Sequence, residues 1–208
     1  MGDIPLNSVL YLVGTGGAAN EIKFELSKVR EDITCIHIVP DEENTSGKGI
    51  IAESDLLKLE KEVLVALTVG NPYLRKVIHS RYKLNSKIQF PNIIFCDVLG
   101  INYLGSGNII MPNVKINCNV TIGDFNYLNY GSFIAHDVIL QSYNTLSPFS
   151  VVSGNCQLVD NNFLGSGSIL NPSVKLENTT ISSGTVVRAG TYNSVIMAQD
   201  FGKKYDKR

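Results

Sequence analysis

The second half of the chain carries an aliphatic residue at every sixth position, from Val98 to Leu176, without an insertion. The residue after each aliphatic position is usually small or polar. No helix has a period of six, whereas a parallel β-helix built from hexapeptide rungs does. The pattern therefore predicts a three-sided prism of short strands, with aliphatic side chains inside and Asn, Gly and small residues at the corners. The aliphatic positions are Val98, Leu104, Ile110, Ile116, Ile122, Leu128, Ile134, Leu140, Leu146, Val152, Leu158, Leu164, Leu170 and Leu176.

The six-residue pattern stops after Leu176. Ser182 and Arg188 occupy the next two positions of the series, so we expect the repeat to fade there. The closing residues, GKKYDKR, are basic and polar, which is typical of a solvated or frayed terminus.

The first half of the chain has a different pattern. An apolar run, Val9 to Val13, precedes a glycine-rich turn, and Ile22, Leu26 and Val29 then follow at helical spacing. Residues 33–40 and 63–72 predict two further strands, and a second helix is expected to begin at Pro72. This alternation predicts a small, Rossmann-like parallel α/β sheet. We therefore expect three parts: an α/β domain over 1–92, a β-helix over 93–190, and a tail over 191–208.

Composition narrows the classes of function. The 208 residues carry a formal net charge of −1, so no basic surplus indicates nucleic acid as a partner. No apolar stretch reaches about 18 residues, and no signal peptide is expected at the start. Four cysteines without CxxC spacing indicate reduced thiols in a cytoplasmic protein. Three scattered histidines make a zinc site improbable, so no metal is expected.

One rung carries candidate chemistry. His136 comes two residues after the inward Ile134, so the pattern places it at a corner outside the prism, beside Asp137. Residues eighteen apart stack in neighbouring coils, which puts His136 between Cys118 and Gly154. A glycine there would let an acyl group approach the backbone N–H, although it could equally serve its own turn. Equally, an isolated His-Asp pair is commonly a surface histidine beside a turn-capping aspartate.

The glycine-rich turn is the second candidate. GTGGAA exposes backbone N–H groups at a helix N-terminus, which suits a phosphate. It lacks the full GxGxxG pattern and no GK[ST] follows, so a tight packing turn explains it equally well.

Taken together, the two halves resemble the NeuD/PglD family of bacterial sugar acetyltransferases, over nearly the whole chain. The most specific pieces are LYLVGTGG, LTVGNPYLRKVI, IIMPNVKIN and LNYGSFIAHDVIL. The resemblance implies a left-handed β-helix and acetyl transfer from acetyl-CoA to a nucleotide-linked sugar. It also implies a homotrimer with active sites between subunits, and a sugar nucleotide held against the N-terminal domain.

The resemblance also assigns roles to residues. His136 would be the general base and Asp137 would orient its ring. The residues expected to bind the sugar nucleotide are Gly14, Gly16, Gly17, Asp41, Asn71 and Asn129. The residues expected to line the acetyl-CoA site are Thr145, Gly154, Ser166 and Gly184.

Three departures from the family pattern concern these sites. Thr145 stands where many relatives have a second histidine, so its hydroxyl would replace that contact with the cofactor. The usual C-terminal Gly-x-Pro-Ala-Lys close is missing. Gly17-Ala18-Ala19 replaces a common Gly-His-Gly, which removes a histidine that could contact substrate.

The expected function is N-acetylation of a nucleotide-linked amino sugar for bacterial surface glycan synthesis. The alternatives are O-acetylation of a sialic-acid-like sugar and a non-catalytic trimeric member of the family. A carbonic-anhydrase-like β-helix would need three zinc histidines, and the repeat region has only His136.

Overall fold

The computed structural model describes residues 4–43 and 47–196 of the chain. Its N-terminal part is a five-stranded parallel sheet with the strand order β3-β2-β1-β4-β5. The elements are β1 (Val9–Val13), α1 (Gly17–Val29), β2 (Thr34–Val39), β3 (Ile50–Ala52), α2 (Glu53–Leu57), β4 (Val63–Ala66), α3 (Pro72–Tyr82) and β5 (Ile88–Gln89).

The predicted strands and helices of this half are present, with two changes at their ends. Helix α1 buries Ile22 and Leu26, but Val29 is exposed because the helix ends there. Strand β4 ends at Ala66, and a loop leads from it to α3. The Asn71 side chain caps α3 by accepting a hydrogen bond from Leu74 N–H at 3.0 Å. The short elements β3, α2 and β5 were not predicted, because each is too short to show a period.

The second half forms three parallel sheets, which are the three faces of a prism. Face 1 consists of β6 (Ile93–Ile94), β8 (Ile109–Ile110), β11 (Tyr127–Leu128), β14 (Thr145–Leu146), β17 (Phe163–Leu164), β20 (Thr180–Ile181) and β23 (Val195–Ile196). Face 2 consists of β9 (Lys115–Ile116), β12 (Phe133–Ile134), β15 (Val151–Val152), β18 (Ile169–Leu170) and β21 (Val186–Val187). Face 3 consists of β7 (Ile101–Leu104), β10 (Val120–Ile122), β13 (Ile139–Leu140), β16 (Gln157–Leu158), β19 (Val174–Leu176) and β22 (Gly190–Tyr192).

The interior of the prism is filled as the hexad predicts. The aliphatic residues from Ile110 to Leu176 are buried in one continuous core. Strands pair with the strand eighteen residues later, for example Tyr127 with Thr145. These stacked coils are a parallel β-helix.

Corner residues explain why the repeat is six residues long. The last residue of each hexad, from Asn113 through Asp137 to Ser173, has a positive φ near 60°. Glycine and asparagine adopt this backbone at low cost, and they occupy most of these positions. Asp137 is one of the few corner residues that is neither glycine nor asparagine, and its φ is 59°.

A ladder of buried asparagines lines the corner between faces 3 and 1. The side-chain oxygen accepts from the backbone N–H of the asparagine one coil later, as Asn108 does from Asn126 at 2.8 Å, except at Asn162, which accepts from Thr179 N–H at 3.0 Å. Each side-chain amide donates to a carbonyl, as Asn108 does to Gly123 at 2.8 Å. The ladder satisfies polar groups that the corner buries. Its members are Asn92, Asn108, Asn126, Asn144 and Asn162.

The expectation that the repeat fades after Leu176 is wrong. The coil that ends at Asn178 is one residue shorter, because Phe163 pairs with Thr180 rather than with residue 181. The shift brings Ile181 and Val187 into the core, at 0% and 3% exposure. A one-residue deletion therefore hid Ile181 and Val187 from a strict count of six, and the next coil is shorter again, since Leu176 pairs with Tyr192.

The N-terminal domain is joined to face 1 through Arg75, which is 1% exposed. All five N–H groups of its guanidinium find oxygen acceptors, and no carboxylate of the described residues pairs with it. The acceptors are the carbonyls of Val69, Gly70, Phe125 and Asn144 and the hydroxyl of Thr145. Burial lowers the pKa of Arg75 to about 9, which still leaves it charged at neutral pH.

Aromatic rings extend this contact. His79 Nδ1 and the Tyr143 hydroxyl are 2.7 Å apart, and the imidazole lies on Phe125 with ring centroids 3.9 Å apart. Phe90 meets both rings edge-on. We call this contact the seam: Arg75, His79, Phe90, Phe125, Tyr143 and Thr145.

Candidate active site

His136 lies at the corner between β12 and β13, where face 2 turns into face 3. Ile134 points into the core, and the chain then turns outward. The His136 side chain is 52% exposed and that of Asp137 is 47% exposed. The imidazole is thus outside the prism. We call residues 135–138 the His136 corner.

The two side chains of this corner are hydrogen-bonded. His136 Nδ1 lies 2.7 Å from Asp137 Oδ2. Hydrogen bonds from His136 and then Asn119 lower the pKa of the Asp137 carboxyl, so it is ionised at neutral pH and can only accept. In the neutral imidazole, Nδ1 therefore carries the hydrogen, which leaves Nε2 with a free lone pair. Within the described residues, no group hydrogen-bonds to Nε2.

Gly154 lies one coil later, and its lack of a side chain leaves room for the imidazole. A Cβ on Gly154 would lie 2.7 Å from both Cε1 and Nε2 of His136. The ring therefore lies directly against the glycine backbone, and any side chain there would displace it. Among the described residues, no acceptor bonds to the Gly154 N–H, while its carbonyl accepts from Ser173 N–H at 3.1 Å. A base, its orienting carboxylate and a spare N–H donor thus lie together.

Most of the residues predicted to bind the sugar nucleotide lie at the carboxyl edge of the N-terminal sheet. Gly14 follows β1 with φ 95°, and Gly16 and Gly17 begin α1. A Cβ on any of these glycines would meet nothing within 4 Å, so their backbone faces open space. Asp41 Oδ1 accepts from Ser54 N–H at 2.9 Å, which ties Asp41 to the first turn of α2.

Asn71 lies beside a cavity of about 600 Å³ between the start of α3 and face 1. Phe163 and Thr180 form its face 1 wall, and Tyr73 lies at its α3 side. The side-chain oxygen of Asn71 already accepts the hydrogen bond that caps α3. The cavity belongs to one chain, on the opposite side of the prism from the His136 corner.

Thr145 is buried in the seam, at 3% exposure. Its hydroxyl donates to Gly70 O at 2.7 Å and accepts from Arg75 Nη2 at 2.9 Å. Asn129 lies at the corner between faces 1 and 2, and its Oδ1 accepts from Tyr130 N–H at 2.8 Å. Neither residue is at the His136 corner of the same chain.

Ser166 and Gly184 lie next to each other, as their proposed common role requires. Ser166 O accepts from Gly184 N–H at 2.9 Å. Both are at the corner between faces 1 and 2, and the width of face 2 separates them from Gly154. The structure therefore brings His136, Asp137 and Gly154 together, and leaves the remaining predicted residues in separate groups on one chain.

Two residues of these sites, Asn119 and Arg75, were not predicted from the sequence. Asn119 hydrogen-bonds Asp137, and the eighteen-residue spacing between them was a signal that could have identified it. Arg75 gave no signal, because four of its five acceptors are backbone carbonyls.

The described residues hold no group of three or more His, Cys, Asp or Glu side chains arranged to bind a metal. Among the helices of residues 4–43 and 47–196, none has the length and apolarity needed to cross a membrane.

No protein-family model matches the chain. The chain is 34% identical over 97 residues to a GDP-perosamine N-acetyltransferase of Escherichia coli O157:H7. That alignment covers 47% of this chain and 42% of the relative, so it spans less than half of the relative's length.

Solved structures match over far more of the chain. The acetyltransferase domain of PglB from Neisseria gonorrhoeae superposes with a TM-score of 0.78 at 17% identity, covering 92% of this chain and 97% of that domain. A perosamine N-acetyltransferase from Caulobacter crescentus, in complex with CoA and GDP-perosamine, gives 0.80 at 21% identity, with 92% and 94% covered. WeeI from Acinetobacter baumannii gives 0.79 at 16% identity, with 93% and 98% covered.

At these identities the superpositions establish the fold, and the three sheets of short strands are consistent with the left-handed β-helix. The resemblance inferred from the sequence is thereby confirmed: the chain has the fold of the hexapeptide-repeat sugar acetyltransferases and shares part of its sequence with one of them.

Proposed function

We propose that the protein transfers the acetyl group of acetyl-CoA to the amino group of a nucleotide-linked amino sugar, with His136 as the general base. The observation that carries this proposal is the oriented imidazole outside the prism. Its Nδ1 is held by Asp137, and its Nε2 is free to accept a proton. A histidine held in this way suits proton abstraction from an attacking amine.

The proposed reaction at the His136 corner is an attack by the amine followed by loss of the thiolate. The neutral amine nitrogen attacks the carbonyl carbon of the acetyl thioester, a C–N bond forms, and the carbonyl electron pair moves onto oxygen. His136 Nε2 takes the proton that the amine loses, and Asp137 stabilises the resulting imidazolium. The Gly154 N–H donates to the oxyanion. The C–S bond then breaks, and the imidazolium returns the proton to the departing thiolate.

The comparisons support the class of substrates. The curated relative is a GDP-perosamine N-acetyltransferase, and the Caulobacter enzyme was solved with CoA and GDP-perosamine. The PglB domain was solved with acetyl-CoA. From these names we infer that the acceptor is an amino sugar and that the donor is acetyl-CoA. We further propose a role in bacterial surface glycan synthesis.

The N-terminal domain is proposed to be Rossmann-like and to hold the nucleotide. Its strand order, β3-β2-β1-β4-β5, matches five of the six strand positions of the dinucleotide-binding sheet. The open backbone at Gly16 and Gly17 lies at the start of a thirteen-residue helix, where a diphosphate is favourably bound. Asp41 and Asn71, at the same edge, would contact the nucleoside and the sugar.

We infer a homotrimer, because the proposed groups do not meet within one chain. Face 1 is covered by the N-terminal domain, whereas face 2 presents a stacked apolar stripe of Phe133, Val151, Ile169 and Val186. This stripe separates the His136 corner from the Ser166 and Gly184 corner. A second copy packed on it would bring the two corners of different chains together.

The assembly is tested by mass in solution. Ile169→Asp places a charge in the middle of the stripe and is expected to convert a trimer into monomers in analytical ultracentrifugation. Lys175→Glu on face 3 is the control, because it exchanges one exposed charge for another. A wild-type monomer would contradict the assembly, and with it the shared site.

The activity is tested with a panel of nucleotide-linked amino sugars and acetyl-CoA, read by mass spectrometry. We expect one or more amino sugars to gain a single acetyl group, while the matching hydroxyl sugars do not. Acetylation of the hydroxyl analogue instead would make the protein an O-acetyltransferase. No product from any sugar, together with no thermal shift from CoA, would indicate a non-catalytic member of the fold class.

A further inference from the structure

Asp137 is itself held by a residue from the preceding coil. Asn119 Nδ2 donates to Asp137 Oδ1 at 3.2 Å, while Asp137 Oδ2 contacts His136 Nδ1 at 2.7 Å. The two carboxylate oxygens thus have different partners on opposite sides. We propose that Asn119 is a positioning residue for the proposed acetyl transfer, acting through Asp137 on the His136 imidazole. This inference rests on the proposed function.

The backbone fixes the position of Asn119 relative to Asp137. The two residues are eighteen apart, occupy the same corner of successive coils, and both have φ near 60°. Asp137 N–H donates to Cys118 O at 3.1 Å, which ties the corners together. The amide of Asn119 therefore faces the Asp137 carboxylate without any rearrangement.

Because the Asp137 side chain is exposed, its orientation depends on its hydrogen bonds. The Asp137 side chain is 47% exposed, so no packed wall prevents the carboxylate from turning toward water. The backbone N–H of Asp137 is already used by Cys118. Among the described residues, His136 and Asn119 are the two hydrogen-bond partners of its carboxylate. Without Asn119, the carboxylate loses one of its two anchors and becomes free to rotate away from Nδ1.

The chemical consequence concerns the tautomer of His136. A carboxylate fixed at Nδ1 selects the Nδ1–H tautomer and keeps Nε2 as the proton acceptor. On the other side, the ring lies against Gly154, where a Cβ would come within 2.7 Å of Nε2. Asn119 from the coil before and Gly154 from the coil after therefore define one orientation of the ring.

The test removes the amide without disturbing the corner. Asn119→Gly is suitable because glycine adopts a positive φ at no cost. Asn155→Gly is the matched control: Asn155 has φ 60° in the same column one coil after Asp137, and its side chain makes no hydrogen bond within the described residues. Both positions are exposed, so we expect both variants to fold with melting temperatures close to that of the wild type.

The first readout is the ¹⁵N chemical shifts of the His136 ring, which report the tautomer and need no substrate. The chain has three histidines, so a His136 variant assigns the signal. We expect the Nδ1–H form to dominate in the wild type and in Asn155→Gly, and a mixture of tautomers in Asn119→Gly. An unchanged tautomer in Asn119→Gly would overturn the inference and leave the proposed function intact.

The second readout is kinetic. In Asn119→Gly we expect kcat to fall about tenfold while the KM values for both substrates stay within about twofold, because an outer hydrogen bond to an orienting group is lost. Asn119→Asp should be slower still near neutral pH, since it places a second carboxylate against Asp137. Equal kcat for the wild type and both Asn119 variants would contradict the inference. Inactivity of the wild type on every acceptor would instead count against the proposed function, with the tautomer result still decisive for Asn119.

Discussion

The seam and the His136 corner are both polar networks, but they are built in opposite ways. At the seam, Arg75 is 1% exposed and all five of its donors are used. At the corner, His136 is half exposed, and its Nε2 has no partner among the described residues. The guanidinium of Arg75 has no donor left for a ligand, whereas the corner presents an exposed basic nitrogen.

This difference separates stability from chemistry. A buried network with every group satisfied is costly to interrupt, because any lost partner leaves a polar group without water. An exposed network loses little stability when it is cut, because water replaces the partner. We therefore expect seam variants to change the free energy of unfolding and corner variants to change the rate of acetyl transfer.

The largest expected effect is at Arg75. Arg75→Met removes every hydrogen bond that the guanidinium donates, and among these acceptors Asn144 O and Gly70 O keep a second donor, from Tyr127 N–H and the Thr145 hydroxyl. The loss of the others should lower the free energy of unfolding by roughly 3–5 kcal/mol. Arg81→Met on the same helix is the control, because Arg81 is exposed and forms only a 3.4 Å ion pair with Glu53; its loss should stay below about 1 kcal/mol. Urea denaturation measures both, and similar losses would contradict the difference between the two regions.

The next largest effect is at Gly154. An alanine there would clash with the His136 ring, which can turn aside, so the expected loss is about 10- to 100-fold in kcat with little change in stability. Gly165→Ala is the contrasting variant, because its Cβ would meet the backbone of Ser182 and Ser183. That overpacking should cost about 1–3 kcal/mol of stability. Melting temperatures and initial rates of the pair give the comparison. If Gly154→Ala retains full kcat, the ring does not need its present orientation.

Thr145→Val tests the seam more gently. It removes the acceptor for Arg75 Nη2 and the donor to Gly70 O, which should cost about 1–3 kcal/mol. Thr121→Val on face 3 serves as control, since its hydroxyl makes no hydrogen bond within the described residues. The KM for acetyl-CoA should not change in either variant. A several-fold rise of that KM in Thr145→Val would instead support the role in cofactor binding that the resemblance implied.

The smallest effect concerns pH. Burial and the nearby Lys83 lower the pKa of His79 below its ordinary 6.5, and this outweighs the opposite influence of Asp124. The unfolded chain therefore takes up this proton first, so stability is lost as pH falls below about 6.5. His79→Phe keeps a ring between Phe90 and Phe125 but cannot titrate. Melting curves from pH 7 to 5 should show a smaller decline for this variant, and parallel declines would exclude His79 as a contributor.

Regular features of the fold could be predicted from the sequence, because they depend on local pattern. The six-residue period located the core of the prism, and eighteen-residue stacking placed His136 between Cys118 and Gly154. The same eighteen-residue spacing relates Asn119 to Asp137, although Asn119 was not among the predicted site residues. The one-residue deletion near Asn178 defeated the count, because a shifted period looks like a lost one.

Contacts between the two halves could not be predicted in this way. Arg75 reaches Phe125 and Asn144, which are 50 and 69 residues away, through their backbone carbonyls. Every residue type has such a carbonyl, so no side-chain pattern marks the partner. Thr145 was assigned to the cofactor through the resemblance, and its contacts with Arg75 and Gly70 were not visible until the domains were placed together.

The most direct test of the central claim is the rate of acetyl transfer by His136→Asn, measured at saturating acetyl-CoA together with its melting temperature and its affinity for CoA. If the imidazole takes the proton of the acceptor amine, kcat falls at least about 100-fold, while the melting temperature and CoA affinity stay at the wild-type values. A kcat within about threefold of the wild type would show that the base lies elsewhere and would contradict the account.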